Sequence, residues 1–141
     1  MDIIKQHNNR YRFFHDITGE AMRVHNKYHK GLLESAYEAA LKYLLEQKGY
    51  IVERQKMVPI FWEEIKLDQC YRLDLVVNSN IIIELKAVHF VDNNHRKQLF
   101  NYMLLTHLKY GMLINFGGDH LFSEWYELND NSHGIERIRL L

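Results

Sequence analysis

The sequence predicts an α/β fold in which helices flank a central mixed β-sheet. Two segments near the amino terminus have the 3.6-residue apolar period of amphipathic helices. Segments 71–86 and 110–116 are instead rich in Val, Ile and Leu, as buried strands are. A third helical pattern separates these two strand segments. Strands and helices that alternate in this way are expected to form one sheet covered by helices.

Three helices are predicted. The first covers residues 13–28, and the second covers residues 32–48 and ends at a glycine. The third begins after Asp92 or Asn93, either of which is a good N-cap, and runs to about residue 108. Apolar positions of the first helix include Phe14, Ile17, Met22 and Val24, and the apolar stripe of the second is Tyr37, Ala40, Leu41, Leu44 and Leu45. The core residues expected in the third helix include Leu99, Met103, Leu104 and Leu108.

The remaining segments predict further strands. Residues 50–56 and 58–62 are predicted as two strands separated near Pro59, a residue that belongs on a sheet edge or at a bulge. A polar turn over residues 63–68 is expected to follow. Residues 135–141 alternate apolar and charged side chains, which suits a half-exposed final strand. The region through Trp125 has no clear pattern.

The segment 71–86 is predicted to be a β-hairpin that brings two acids together. Its apolar runs flank the polar triplet 78–80, in which Asn tolerates the left-handed backbone of a tight loop. If that triplet is the loop, counting outward places Asp74 opposite Glu84 on the same face of the sheet. Lys86 follows two residues later and joins them on that face. The second strand is almost wholly apolar and is expected to be covered on both faces.

Two interpretations of this hairpin stay open. Facing carboxylates repel by roughly 4 kcal/mol at 4 Å and an effective dielectric constant near 20, so a proton or a cation must offset the repulsion. Converging carboxylates suit Mg²⁺, and a neighbouring Lys suits a phosphate oxygen or an attacking water. The alternative is a structural ion network of Asp74, Glu84 and Lys86, joined by Arg72.

Two helical faces carry further candidates. Glu34 falls on the apolar stripe of the second helix, where a carboxylate is unusual unless it is paired or bound to a metal. Alternatively, it complements the helix dipole in the first turn. His95, Gln98 and Tyr102 share one face of the third helix. Gln98 suits a water or phosphate oxygen and Tyr102 a phosphate or a side chain, but ordinary exposed polarity explains both equally well.

The composition predicts one globular domain over residues 1–141, with 47% hydrophobic and 26% charged residues. A single cysteine excludes a disulfide framework and fits a reducing compartment. The first residues lack signal-peptide features and no apolar run is long enough to cross a membrane, so we expect a cytoplasmic protein. The formal net charge is zero, which neither indicates nor excludes a nucleic-acid partner.

Several of these segments resemble known families. The stretch Gly31-Leu-Leu-Glu34-Ser-Ala-Tyr37 resembles the motif of the GxxExxY family. The stretch Tyr71-Arg-Leu-Asp74-Leu-Val-Val, followed by Glu84-Leu-Lys86, resembles the catalytic core of the PD-(D/E)XK nuclease superfamily, although Leu73 replaces the proline of that name. Gln98 and Tyr102 are similar to its Gln-xxx-Tyr element, and segment 111–117 is similar to the strand that closes its core. The resemblance spans about residues 15–118.

The resemblance implies a restriction-endonuclease-like core with a phosphodiesterase site that depends on Mg²⁺ or Mn²⁺. It implies that Asp74 and Glu84 are metal ligands and that Lys86 positions the attacking water and stabilises the developing charge. It further implies that Glu34 completes the metal environment. Gln98 would then orient the site, with Tyr102 supporting it.

The resulting hypothesis is a metal-dependent nuclease, with DNA expected in preference to RNA. The alternative is a catalytically silent nucleic-acid-binding or protein-assembly module on the same fold, which the zero net charge and small size favour. A homodimer, or a partner protein that presents the substrate, would suit a small nuclease of this charge.

Overall fold

A computed structural model describes residues 10–132 and 134–139. Helix α1 covers Arg12–Tyr28, α2 covers Glu34–Gln47 and α3 covers Asn93–Thr106. Each helix begins and ends close to its expected position, so all three helix predictions are confirmed. None of the helices in residues 10–132 and 134–139 is both long enough and apolar enough to cross a membrane.

In the part of the chain that the structure describes, six strands form one sheet, and their order in the sheet is their order in the chain. Neighbouring strands are antiparallel, except that β3 and β4 run parallel and are joined by α3. The sheet is therefore mixed and the predicted α/β class is confirmed. The strands are β1 Val52–Trp62, β2 Ile65–Val77, β3 Ile81–Lys86, β4 Tyr110–Asn115, β5 Phe122–Leu128 and β6 Ile135–Ile138.

Helices cover both faces of the sheet. Helices α1 and α2 pack on one face, where Phe14 and Leu41 join a cluster with Ile83 of β3. Helix α3 packs on the other face, where Leu99 joins a second cluster with Ile82 of β3. Consecutive residues of β3 are therefore buried in opposite layers, as the apolar composition of this strand predicts.

The region before the hairpin differs from its prediction. Residues 52–62 form one strand rather than two, and the irregularity near Pro59 is a register shift between Pro59 and Phe61. The predicted turn over 63–68 is also too long, because β2 already begins at Ile65. The eight amino-terminal residues of β2 are all exposed. A ribbon exposed on both faces has no apolar alternation, so the sequence pattern cannot reveal it.

One core prediction and one strand boundary also need correction. Leu104 is 45% exposed, because it lies on the outer side of α3 rather than on the stripe that faces the sheet, and the apolar Met22 of α1 is likewise 50% exposed. The last described strand, β6, ends at Ile138, and residues 140–141 of the predicted strand lie outside the described residues. Strand β5 occupies the region that had no clear pattern.

Candidate active site

The hairpin of β2 and β3 has the predicted register, with Val77 paired with Ile81. Asn78 and Ser79 in the loop have φ angles of 51° and 54°, the left-handed conformation that a three-residue connection requires here. The Asn78 side chain also accepts a hydrogen bond of 2.9 Å from the Ile51 N–H. The loop is therefore fastened to the start of β1, which fixes the register of the acids further along the strands.

Asp74 lies where β2 separates from β3. Regular pairing of the two strands ends at Leu75 and Ile83, one residue before the position at which Asp74 would face Glu84. Beyond that point the Asp74 carboxylate itself accepts a 2.8 Å hydrogen bond from the Leu85 N–H. This bond replaces a backbone hydrogen bond between β2 and β3, and it holds the carboxylate beside β3.

Glu84 is a buried acid with an incomplete set of partners. The residue is 2% exposed, and Oε1 lies 3.1 Å from the Lys86 Nζ atom. Among the described residues, its Oε2 atom has no hydrogen-bond partner. Burial, followed by repulsion from Asp74, raises the pKa of the Glu84 carboxyl to about 8 against the opposing effect of Lys86. The site therefore lacks positive charge when both carboxyls are ionised.

The carboxyl group of Asp74 is perturbed in the same direction. Burial raises its pKa to about 6, although the hydrogen bond from Leu85 opposes the shift. The negative charges of Glu38 and Glu34 raise the pKa further, and Lys86 lowers it. Clustered acids with raised pKa values are typical of functional sites, because structural ion pairs usually lower the pKa of a carboxyl.

Lys86 connects the acids to α3. Its ammonium group donates to the Gln98 side-chain oxygen at 2.9 Å, and the Gln98 amide donates to the Tyr102 hydroxyl at 2.9 Å. Burial, the largest effect, would lower the pKa of Lys86, but the negative charges of Glu84, Glu34 and Asp74 together outweigh it and the net shift is upward. Lys86 is therefore charged at neutral pH and is held in place from two sides.

His95 and Arg72 have other roles. The His95 side chain completes a capping box with Asp92, whose carboxylate accepts from the His95 N–H at 3.1 Å. Asp92 is thus the N-cap of α3, and His95 takes part in the helix start. Arg72 is exposed, and its Nε atom lies 3.5 Å from the Met57 sulfur. Arg72 is therefore not the fourth member of the ion network that the sequence allowed.

Glu34 is the first residue of α2, and its side chain is exposed. The expectation that it faces the core is wrong, because residues 31–36 are all exposed and the buried side of α2 begins at Tyr37. The carboxylate is nevertheless close enough for its charge to raise the pKa values of Asp74 and Glu84. The structure thus places an exposed acid near buried Glu84 and half-buried Asp74.

The loop before α2 determines where Glu34 lies. The hydroxyl of buried Tyr37 donates to the His29 carbonyl and accepts from the Leu32 N–H at 3.1 Å. Gly31 has a φ of 112°, which residues with a side chain rarely adopt. Gly31 and Tyr37 therefore shape the chain that presents Glu34.

Sequence reasoning missed Glu38, a second buried acid of α2. It is 2% exposed, and its carboxylate accepts hydrogen bonds from Arg54 at 2.7 Å and from Gln55 at 2.8 and 2.9 Å. A signal was present, because Glu38 lies one turn after Glu34 and next to the buried Tyr37. Its two partners on β1 have no sequence signal.

The donor set suits a small divalent cation bound by two carboxylates. Residues 10–132 and 134–139 contain no group of three or more His, Cys, Asp or Glu side chains arranged to hold a metal ion. Mg²⁺, however, is usually held by one or two carboxylates and retains several waters. Asp74 and Glu84 supply that number, and the unpartnered Oε2 of Glu84 is an oxygen that a cation would satisfy.

One comparison with known proteins gives a match. A family model described as the PD-(D/E)XK nuclease superfamily matches residues 11–128. Its match includes every candidate residue discussed above. No curated protein and no solved structure gives a significant match to the chain.

Proposed function

Because the chain belongs to the PD-(D/E)XK nuclease superfamily, we propose that it is a nuclease that hydrolyses phosphodiester bonds with Mg²⁺ or Mn²⁺. DNA is the expected substrate, in preference to RNA. The observation that carries this proposal is the pairing of buried Glu84 with half-buried Asp74 beside Lys86, with one carboxylate oxygen of Glu84 left without a partner among the described residues. Such an arrangement does not stabilise a protein core, because a buried charge without full compensation is destabilising.

Each candidate residue has a defined task in this proposal. Asp74 and Glu84 hold the cation through their carboxylates, and Glu34 adds negative charge at the rim. A bound divalent cation supplies polarisation of the phosphate and activation of a water molecule. Lys86 positions the attacking water and neutralises charge that develops on the phosphate oxygens. Gln98 orients the Lys86 ammonium group, and Tyr102 orients Gln98.

The GxxExxY family is the subgroup that we propose within the superfamily. The support is the sequence motif together with the contacts of its fixed residues. Gly31 lies in the loop that precedes α2, the hydroxyl of Tyr37 in α2 holds that loop, and Glu34 is the motif residue whose charge acts on the acids. We further propose that residues 1–141 act as one cytoplasmic domain.

A homodimer or a partner protein that presents the substrate belongs to the same proposal. The exposed ribbon of β1 and β2 carries large apolar side chains that a macromolecular contact would cover. These side chains are Met57, Phe61, Trp62, Ile65, Leu67 and Tyr71.

The second candidate function is a catalytically silent nucleic-acid-binding or protein-assembly module on this fold. It is favoured by the finding that no three-ligand group exists among residues 10–132 and 134–139. It is also favoured by the zero net charge, since a nuclease that binds its substrate alone usually carries a basic surface.

Calorimetry and cleavage assays together test the proposal. Mg²⁺ and Mn²⁺ are titrated into the wild type and the Asp74→Ala variant, and both proteins are incubated with end-labelled DNA and RNA oligonucleotides. We expect saturable binding and metal-dependent cleavage by the wild type, with both lost in the variant. Metal binding without cleavage would favour the silent module. Identical flat titrations for the two proteins would reject the metal site.

A further inference from the structure

Glu38 is held by an unusually complete set of partners. Its carboxylate receives the Nε donor of Arg54 at 2.7 Å and both contacts of the Gln55 amide at 2.8 and 2.9 Å. Arg54 also donates to the Ser35 carbonyl at 3.0 Å, so β1 is fastened to α2 at two points. Burying a carboxylate is unfavourable unless such bonds compensate it, and here they are all supplied by two consecutive residues of β1.

The backbone of Gln55 is in a strained conformation. Its φ is 53°, although it lies inside a strand and is not a glycine. Such left-handed residues persist only where surrounding contacts enforce them, and they occur preferentially near functional sites. The contact that holds Gln55 is its side-chain amide bond to Glu38.

The strained residue lies opposite Asp74. Arg54 pairs with Leu75 and Lys56 pairs with Leu73, so the intervening residues, Gln55 and Asp74, face each other in the register. Pairing resumes on both sides of this position. The left-handed backbone of Gln55 is therefore a local distortion of β1 at the position that faces Asp74.

Strand β2 changes its course at the same residue. Leu75 packs with α1 and α2, as alternation from Val77 requires, but Leu73 packs in the cluster of α3. In a regular strand Leu73 and Leu75 would share a face. On the other side of Asp74, pairing with β3 ends, and the Asp74 carboxylate accepts a 2.8 Å hydrogen bond from the Leu85 N–H. Regular geometry is thus interrupted at Asp74 toward both neighbouring strands.

We propose that Glu38 and Gln55 form a clamp that positions Asp74: the buried carboxylate holds the left-handed backbone of Gln55, and this distortion of β1 sets the carboxylate of Asp74 against β3. Glu38 and Gln55 are positioning residues, since both act through the placement of Asp74. The role in metal binding rests on the proposed function, whereas the geometric effect on Asp74 does not.

The clamp predicts a difference between two substitutions at one position. Gln55→Ala removes the amide and leaves a residue that disfavours a positive φ. Gln55→Gly removes the same amide but tolerates the left-handed backbone. If the backbone conformation is what positions Asp74, glycine preserves the site better than alanine does. If Glu38 merely fastens α2 to β1, the two variants should have the same effect on Asp74.

Two readouts test this on the full chain. Amide hydrogen exchange of Leu85, whose N–H is bonded to Asp74, reports the position of the acid without any metal. We expect exchange at Leu85 to be about tenfold faster in Gln55→Ala and in Glu38→Gln, with Gln55→Gly closer to wild type. The amide of Ile83, within the regular β2–β3 pairing, serves as the internal reference and should change little. The second readout is the Mn²⁺ dissociation constant. In Gln55→Ala and Glu38→Gln it should rise by about tenfold, which is in the range typical for loss of a residue that positions a metal ligand.

Glu46→Gln is the matched control, because Glu46 is an exposed acid of the same helix paired with Lys42 at 2.8 Å. It should leave both readouts unchanged. Equal acceleration at Leu85 and Ile83, identical behaviour of the two Gln55 variants, or unchanged Leu85 exchange would each overturn the clamp. If the wild type binds no Mn²⁺, the proposed function fails, and Leu85 exchange still decides this inference.

Discussion

The ammonium group of Lys86 lies 3.1 Å from one carboxylate oxygen of Glu84, two residues away on the same strand. The Lys86 ammonium group therefore compensates both buried Glu84 and half-buried Asp74, because Asp74 also lies close enough to raise the pKa of Glu84. This imbalance of charge determines how the site should respond to mutation, pH and metal ions.

Substitution of Lys86 by alanine should separate metal binding from cleavage. The variant retains Asp74 and Glu84, so Mg²⁺ should still bind, but cleavage should fall by about 10²–10³-fold because a group that stabilises developing charge is lost. Cleavage of labelled oligonucleotides measures this. Lys97→Ala removes an exposed lysine of α3 and should cleave like the wild type. Undiminished cleavage by Lys86→Ala would assign the activity to another site or to a contaminant.

Substitution of Glu84 by glutamine should stabilise the metal-free protein at alkaline pH. Burial and repulsion from Asp74 raise the pKa of the Glu84 carboxyl from its ordinary value of 4.5 to about 8 in the folded state. Between these values the folded state binds more protons than the unfolded state, so the free energy of unfolding falls as pH rises. The total fall is about 1.4 kcal/mol for each unit of difference between the two pKa values. Glutamine removes this dependence.

Thermal unfolding in EDTA at pH 5 and pH 8 measures the effect of Glu84→Gln. The variant should exceed the wild type in melting temperature at pH 8 and differ little from it at pH 5. A melting temperature lowered equally at both values would show that the ionised form of Glu84 is not destabilising.

Mg²⁺ affinity should increase with pH. The cation competes with protons for carboxyls whose pKa values are about 6 and about 8, so binding at neutral pH must release protons. Calorimetry at pH 6.5, 7.5 and 8.5 should give successively tighter binding. Titrations in two buffers of different ionisation enthalpy should reveal the released protons. Affinity that is independent of pH would exclude the two carboxyls as ligands.

Gln98 and Tyr102 should contribute unequally to cleavage. Gln98→Ala removes the oxygen that accepts from Lys86 and should lower kcat by about tenfold, because the ammonium group loses one of its two restraints. Tyr102→Phe removes only the acceptor for the Gln98 amide and should have a smaller effect. Single-turnover cleavage compares the two variants. A larger loss in Tyr102→Phe would mean that its hydroxyl acts directly on the substrate.

Asn115 should be important for stability at the end of the site strands. Its buried side chain accepts from the Val88 N–H at 3.0 Å and from the Gly117 N–H at 3.1 Å, and it donates to the Val88 carbonyl at 2.9 Å. Asn115→Ala leaves these backbone groups without their partner and should lower the free energy of unfolding by about 1–3 kcal/mol. Urea denaturation measures this, and a change below 0.5 kcal/mol, roughly that of a surface substitution, would contradict it.

The predictable parts of the fold are those whose signals are local. The three helices follow from apolar period and capping residues, and β3 follows from its continuous apolar run. Strand β5 was not predictable, because it buries Glu124, whose charge is met by Arg96 at 2.7 Å and Arg137 at 3.0 Å. Those partners lie on α3 and β6, so the sequence around β5 contains no sign of how its acid is compensated.

The sequence by itself determined the hairpin register from Val77 and Ile81 to Leu75 and Ile83, because loop length and side-chain alternation are properties of neighbouring residues. The strands separate before Asp74 and Glu84 pair, and Asp74 instead accepts a hydrogen bond from the Leu85 N–H. The sequence also placed Lys86 beside them. Only the tertiary structure decided that Glu34 stays exposed, that Glu38 is buried against β1, and that Gln98 holds Lys86. These contacts join elements far apart in the chain, and their geometry depends on how the helices pack on the sheet.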